Sequence, residues 1–360
     1  MTSGGPTVLL ITNQPQVSHA VGHEQAYRTL VDAGYLASVD IVSWRGSNGH
    51  LPQGNLESVL TLLETRTYDV VVVWSSGHFP GTRASFDRLN AAMKSATLLY
   101  WEGDSWGRGK PVTREMRWWL QRADVVISAS GDPQPHMLLN AGAREVRFSP
   151  QVVDEGVFAT EYSSNWSPPA TSRGAIMIGS YEARIPIIGG MPGDGERRRL
   201  ARALRKRFGG TFTLRGRGWP SSWAVSPVAY EGQVREIATH RVSANWDHYP
   251  RYADSSSDRL PIALLAGRPH VAGRHPGMEW LPGPEVGFFQ ESTVSAVVDR
   301  VGELIDDPQR CARLGAEGRR WVVGRLCAEQ AVRYHLSLVL DEVPAPTIEP
   351  WTALPGPWRL

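Results

Sequence analysis

The chain has 360 residues, 41% hydrophobic and 21% charged, with a formal net charge of +2. That length suits two domains of roughly 150–180 residues each, and the balance is that of an ordinary globular protein. The weak charge excludes the long-range field of a dedicated nucleic-acid binder, two cysteines exclude a disulfide framework, and no apolar run reaches the ~20 residues of a membrane span. The opening Met1 to Pro6 carries no signal-peptide pattern, so a cytoplasmic protein is expected. The composition, rich in Arg, Ala and Trp, points to a GC-rich bacterial or phage genome. For any one of the 14 Trp, packing is the first reading and stacking on a ligand the second.

The first half alternates short apolar runs with helical patterns. Strands are expected at Val8–Thr12, Val39–Trp44, Val70–Trp74, Leu98–Glu102, Val125–Ala129 and Val146–Phe148. Helices are expected at Glu24–Ala33, Leu56–Leu63, Thr82–Lys94, Thr113–Arg122 and Pro135–Ala141. Continuous apolar strands imply a sheet covered on both faces, and the alternation implies parallel strand–helix–strand units. Asp154 to Arg173 is polar and Pro/Ser-rich, which reads as a connection. A second series follows: strand Ala175–Ile178, helix Glu196–Arg207, strands Thr211–Arg215 and Val242–Asn245, helix Asp258–Ala266 and strand His270–Ala272. Helices near Thr293–Ile305, Gln309–Trp321 and Ala328–Asp341 close it, and the Pro- and Trp-rich tail from Val343 is expected to lie over the surface or trail. The reading is α/β, with two doubly wound, Rossmann-like domains at 1–153 and 174–342, a linker at 154–173 and a tail at 343–360. Such domains set their strand carboxyl ends around one cleft.

The most informative stretch runs from Asn245 to Pro276. A strand ends in the hydroxyl-rich loop Asp254–Ser257, a short helix opens at Asp258, and Gly267 ends it. A helix start suits an anion, and Arg259 in its first turn makes sense when an anionic ligand faces it. The segment Gly189–Gly195 before the helix at Glu196 lacks the Walker spacing and its Lys-Ser/Thr ending, which rejects a P-loop.

Several motifs carry a family resemblance across nearly the whole chain. They are Ile178-Gly179-Ser180 with Arg184 soon after, Leu214-Arg215-Gly216-Arg217-Gly218-Trp219, the run from Ser257 to Gly267, and Asp307-Pro308-Gln309 with Leu314 to Arg319. Weaker echoes are His23-Glu24 and Tyr100-Trp101-Glu102-Gly103-Asp104. The pattern resembles the GT-B glycosyltransferases, nearest to the spore-maturation-type, group 1-like branch. The resemblance implies a nucleotide-sugar donor on the second domain and an acceptor on the first. Many retaining members carry a glutamate pair ahead of the glycine that ends this helix. Counting back from Gly267 puts Asp254 at the first position and Ile262 at the second, with Asp258 as a substitute one turn earlier.

Donor-binding candidates are therefore Gly179, Arg184, Gly216, Trp219, His248, Ser257, Asp258 and Arg259. Arg184 and Arg259 suit the diphosphate, because guanidinium groups make paired, charge-assisted bonds to phosphate oxygens. Gly216 and Trp219 suit close approach of a nucleobase, and a plain turn explains them as well. Catalytic candidates are His19, His23, Glu102 and Asp104. A histidine near neutral pKa can take an acceptor proton, while His23 and Glu24 also read as an ordinary helix start. The incomplete glutamate pair, together with these histidines, favours inversion.

The expected function is metal-independent transfer of a sugar, a hexose first, from a UDP-, GDP- or dTDP-sugar to a hydroxyl acceptor. No cofactor beyond that co-substrate is expected, and nucleic acid enters only as an acceptor, beside glycan, protein or metabolite. A non-catalytic nucleotide- or glycan-binding relative and a sugar-nucleotide epimerase are the alternatives.

Overall fold

A computed structural model describes residues 4–13, 21–44, 53–74, 79–171, 173–181, 190–223 and 226–359, with only the backbone of 53–55. The first half forms β1 (Thr7–Thr12), α1 (Val21–Asp32), β2 (Ser38–Ser43), α2 (Gln53–Thr65), β3 (Val70–Trp74), α3 (Arg83–Ala92), β4 (Thr97–Glu102), α4 (Arg114–Arg122), β5 (Val125–Ser128), α5 (Gln134–Asn140) and β6 (Glu145–Phe148). After a connection holding α6 (Ala159–Tyr162) come β7 (Arg173–Ile178), α7 (Asp194–Phe208), β8 (Thr213–Arg215), α8 (Gln233–Ala238) and β9 (His240–Asn245). Then follow α9 (Arg259–Leu265), β10 (His270–Gly273), β11 (Phe288–Glu291), α10 (Val294–Asp306), α11 (Pro308–Val322), α12 (Ala328–Ser337) and β12 (Trp358–Arg359). Each expected strand and helix is present, with ends shifted by a few residues. Additional elements are α6, α8, β11 and β12, all short.

Two sheets result, in the order β12-β6-β5-β4-β3-β1-β2 and β11-β10-β9-β7-β8. Every pairing is parallel except β12 against β6. Both sheets are covered on two faces, which is why Val70–Val73 and Ala175–Ile178 are apolar throughout and buried. Caps set the helix starts: Thr82 accepts from Ser85 N and Thr113 from Met116 N, while Asp307 accepts from Arg310 N ahead of Pro308.

The chain's end joins the two halves. Helix α12 packs Ala331 in the core of the second half, while its Val332 and Leu336 pack with Leu10, Tyr27 and Leu30 against the first sheet. Of the two options for the tail, packing holds. Trp351 is buried in the core of the second half, and β12 covers the edge of β6.

Strand carboxyl ends of the two halves face each other. The halves touch through paired backbone bonds, Gly131 N to Ala253 O at 2.8 Å and Ala253 N to Asp132 O at 2.7 Å. The Tyr252 hydroxyl donates to Trp106 O at 2.7 Å, and a Cβ at Gly107 would collide with that hydroxyl.

Most tryptophans serve packing, as the composition suggested. Trp119 is fully buried, with its ring 4.9 Å from Phe86 and 5.8 Å from Phe79. Trp119→Ala is expected to cost about 3–5 kcal/mol of stability, by lost burial and the cavity left behind. Urea unfolding followed by circular dichroism checks it; a loss under about 1 kcal/mol contradicts the assigned packing.

Candidate active site

A cleft of about 550 Å³ opens between the two halves. Its first wall comes from β3, β4, β5 and the start of α1. Strand β4 ends at Glu102, and the turn that follows parts Glu102 from Asp104. Glu102 points inward, fully buried, accepting from the Tyr100 hydroxyl at 2.9 Å and from Asp104 N at 3.1 Å. Burial, reinforced by the Asp104 charge, pushes its carboxyl up to about 8. Asp104 lies on the cleft wall instead, paired with Lys110 at 2.7 Å.

His23 lies in the first turn of α1, on the same wall, against Trp74 and Trp101 at 4.6 and 5.2 Å between ring centroids. Its Nδ1 is 3.1 Å from Asp154 Oδ2, and its buried Nε2 has no hydrogen-bond partner among the described residues. Asp154 also accepts from Gly22 N at 2.6 Å and Val157 N at 2.9 Å. Burial alone would raise the Asp154 carboxyl; the His23 bond and charge and these backbone donors outweigh it and hold the group below its usual range. One carboxylate thus holds both the helix start and the imidazole.

The second wall carries Asp247, His248, Tyr249, the serines Ser255 to Ser257, Asp258 and Arg259. Arg259 opens α9, with its side chain partly exposed and its Nε buried without a partner among the described residues. Behind it, Arg197 of α7 is fully buried. Its Nε donates to Ser180 O at 3.1 Å and its Nη1 to Asn245 Oδ1 at 2.9 Å, while Nη2 has no partner among the described residues. Burial and the nearby Arg259 charge push the Arg197 group down to about 9. Asn245 also donates to Asp247 Oδ1 at 2.6 Å and to Ser257 Oγ at 3.2 Å. Against burial, the His275 bond and the Arg259 and Arg197 charges keep Asp247 well below the usual carboxylate range. His248 is fixed by Asp194 at 2.8 Å.

The remaining candidates stand apart from the wall. His19, Arg184 and Gly189 lie outside the described residues. Gly179 and Gly216 are needed for backbone approach: a Cβ on Gly216 would strike the carbonyl of Gly179. Trp219 is buried, donating from Nε1 to Gly179 O at 2.7 Å and stacking on Tyr181 at 5.1 Å. These residues pack two loops together and do not line the cleft. Ile262 is fully buried in the core, and Asp258 lines the cleft. The sequence reading missed Asp154, which sat in an apparent linker, and Arg197, one arginine among several on α7. No local pattern signalled Asp154, because it and Glu155 hold the starts of α1 and α12 from 132 and 173 positions away.

The two facing parallel-sheet domains with a polar cleft at their strand carboxyl ends have the GT-B architecture. Residues 197–336 match the family described as "Glycosyl transferase-like". Among solved structures, the chain is similar to Anabaena Alr3699/HepE in complex with UDP and glucose, with 13% identity, 93% of this chain and 100% of that chain covered, and a TM-score of 0.58. It is similar to an alpha-glucosyltransferase in complex with UDP-glucose and DNA containing an abasic site, at 10% identity, 92% and 98% coverage and a TM-score of 0.60. Sucrose-phosphate synthase from Thermosynechococcus elongatus matches at 16% identity, 92% and 98% coverage and a TM-score of 0.54. At these identities the likeness establishes the fold. No curated protein matches the chain. Among the described residues, no helix is long and apolar enough to cross a membrane.

Asp254, at the first position of the glutamate pair, does not line the cleft. It is buried at φ +58°, and a Cβ on Gly131 or Gly277 would meet its carboxylate. Burial and then the Glu279 charge push its carboxyl up to about 6. A carboxyl raised in this way binds its proton more tightly folded than unfolded. Its ionisation therefore removes stability as pH rises from about 4 to about 6, and the loss is complete above that. Asp254→Asn is expected to raise Tm relative to the parent, by an amount that grows across that window. A Tm difference that stays constant with pH contradicts the assigned titration.

Proposed function

We propose that the protein is a glycosyltransferase that moves a sugar from a nucleotide-diphosphate sugar to a hydroxyl acceptor by inversion, without a metal ion. The observation that carries this reading is the cleft itself, with an arginine on one wall whose Nε has no partner among the described residues and a carboxylate-held histidine on the other. The acceptor hydroxyl attacks the anomeric carbon. Its proton passes to His23 Nε2, while Asp154 holds Nδ1 and so fixes the accepting tautomer. The bond from the anomeric carbon to the diphosphate breaks with its electron pair on phosphate oxygen, and Arg259 takes up that charge. Closure of the two halves excludes water.

The family match over the second half and the likeness to folds solved with UDP or UDP-glucose support this donor class. The choice among UDP-, GDP- and dTDP-sugars and the spore-maturation-type branch rest on the motif resemblance. The buried free cysteines, Cys311 and Cys327, suit a reducing cytoplasm, where such donors occur. Ile262 in place of a glutamate favours one other reading, a relative that binds the nucleotide without turning it over.

A panel of nucleotide sugars, assayed in excess EDTA for release of free nucleotide, separates these. Turnover is expected to persist in EDTA, and an obligatory divalent ion contradicts the neutralising role given to arginine. Arg259→Ala is expected to weaken donor binding by about 1.5–3 kcal/mol, as for a lost charge-assisted bond. His23→Ala is expected to slow transfer roughly 100- to 10,000-fold with donor affinity nearly intact. Binding without turnover favours the non-catalytic relative, and a product anomer matching the donor contradicts inversion.

A further inference from the structure

Arg197 has no role in the reaction as drawn, yet its placement is costly. A guanidinium stays charged inside a protein, and burying it stabilises nothing unless each of its N–H groups finds a partner. Arg197 satisfies Nε and Nη1 within the fold but leaves Nη2 buried and unmatched among the described residues. The nearest cation is Arg259, whose Nε is also buried and unmatched among the described residues, while its Nη1 lies 3.5 Å from Asp258 Oδ1. The two meet beside Gly179, which holds φ +148°. A Cβ there would lie 3.0 Å from Arg259 Nε and collide with Arg197 Nη2. The absent side chain is what admits the second guanidinium. Two like charges at this range repel more strongly in a dry interior than in water. Asp258 and the nearby Asp247 charge offset part of that repulsion, yet neither meets the two unmatched N–H groups, which leaves them for an anion.

Resting on the donor reading above, we propose that Arg197 is the second cation of the donor site and that its buried charge acts on the leaving diphosphate. When the anomeric carbon–oxygen bond breaks, its electron pair stays on the phosphate, so the free nucleoside diphosphate carries one negative charge more than the intact donor. A fixed positive charge a few ångströms away in a low-dielectric site stabilises the more negative species more. Arg197 therefore favours product over donor in binding, and the charge-separated transition state over the ground state. The same preference makes the free nucleoside diphosphate an effective product inhibitor.

The test is calorimetric titration of the full chain with UDP and UDP-glucose, GDP and GDP-mannose, and dTDP and dTDP-glucose, following the pair that wild type binds most tightly. Wild type is expected to bind the diphosphate more tightly than its sugar ester. Arg197→Met is expected to narrow that preference roughly tenfold, and to lower kcat roughly 10- to 100-fold. Arg197→Lys, which keeps the charge, is expected to restore most of the preference. Should Arg197→Met fail to fold, Arg197→Gln, which removes the charge but keeps a polar end, is expected to narrow the preference alike. Equal losses for diphosphate and sugar ester, or no loss, overturn the proposal and leave the donor reading standing. Failure of wild type to bind any member of the three pairs overturns both.

Discussion

Two guanidinium groups meet beside Gly179 with an N–H on each that is unmatched among the described residues, and the surrounding loops are arranged around them. Helix α7 supplies one and the first turn of α9 the other. Glycine at 179 and 216 lets two loops close over the pair. Asn245 accepts from Arg197 and donates to Asp247, whose carboxylate is paired in turn with His275 at 3.1 Å. For a fully buried ion such as Arg197, a well-packed apolar side chain of similar volume is often no less stable. A buried guanidinium that meets no carboxylate directly among the described residues is sensible where a ligand brings the anion.

The facing wall follows a similar logic with the opposite charge. Asp154 binds the start of α1 and the His23 ring, and its neighbour Glu155 accepts from Ala328 N at 2.7 Å and Glu329 N at 2.8 Å at the start of α12. Adjacent carboxylates in the connection thus tie down two helices that pack on each other against the first sheet. Glu155 is largely desolvated, and burial raises its carboxyl despite those backbone donors. The imidazole is consequently fixed by the segment that joins the two halves, so the geometry of the base and the domain arrangement are coupled.

The architecture was legible because parallel strands covered on both faces are apolar at every position, as in Val70–Val73, and helices between them are capped by Thr82, Thr113 and Asp307. The two-residue β12 escaped because it gives no pattern to read, and β11, Phe288–Glu291, because its apolar run stops after two residues. Within the site, Arg259, Asp258 and Ser257 were legible from local punctuation around one helix. Asp154 and Arg197 were not, because their importance comes from contacts across 131 and 48 positions of chain, to His23 and Asn245. Glu102 shows the converse. Strand alternation turns it away from the cleft, a fact the Glu-Gly-Asp triplet alone does not reveal.

The account stands on an anion joining the two arginines across the cleft from His23. A crystal structure of the chain with a bound nucleoside diphosphate tests this most directly. It is expected to place phosphate oxygens within hydrogen-bond distance of Arg259, with Arg197 Nη2 directed at the same anion and the leaving oxygen facing the His23 wall. A nucleotide bound elsewhere, or a water molecule between the guanidinium groups with the phosphates turned away, would contradict it.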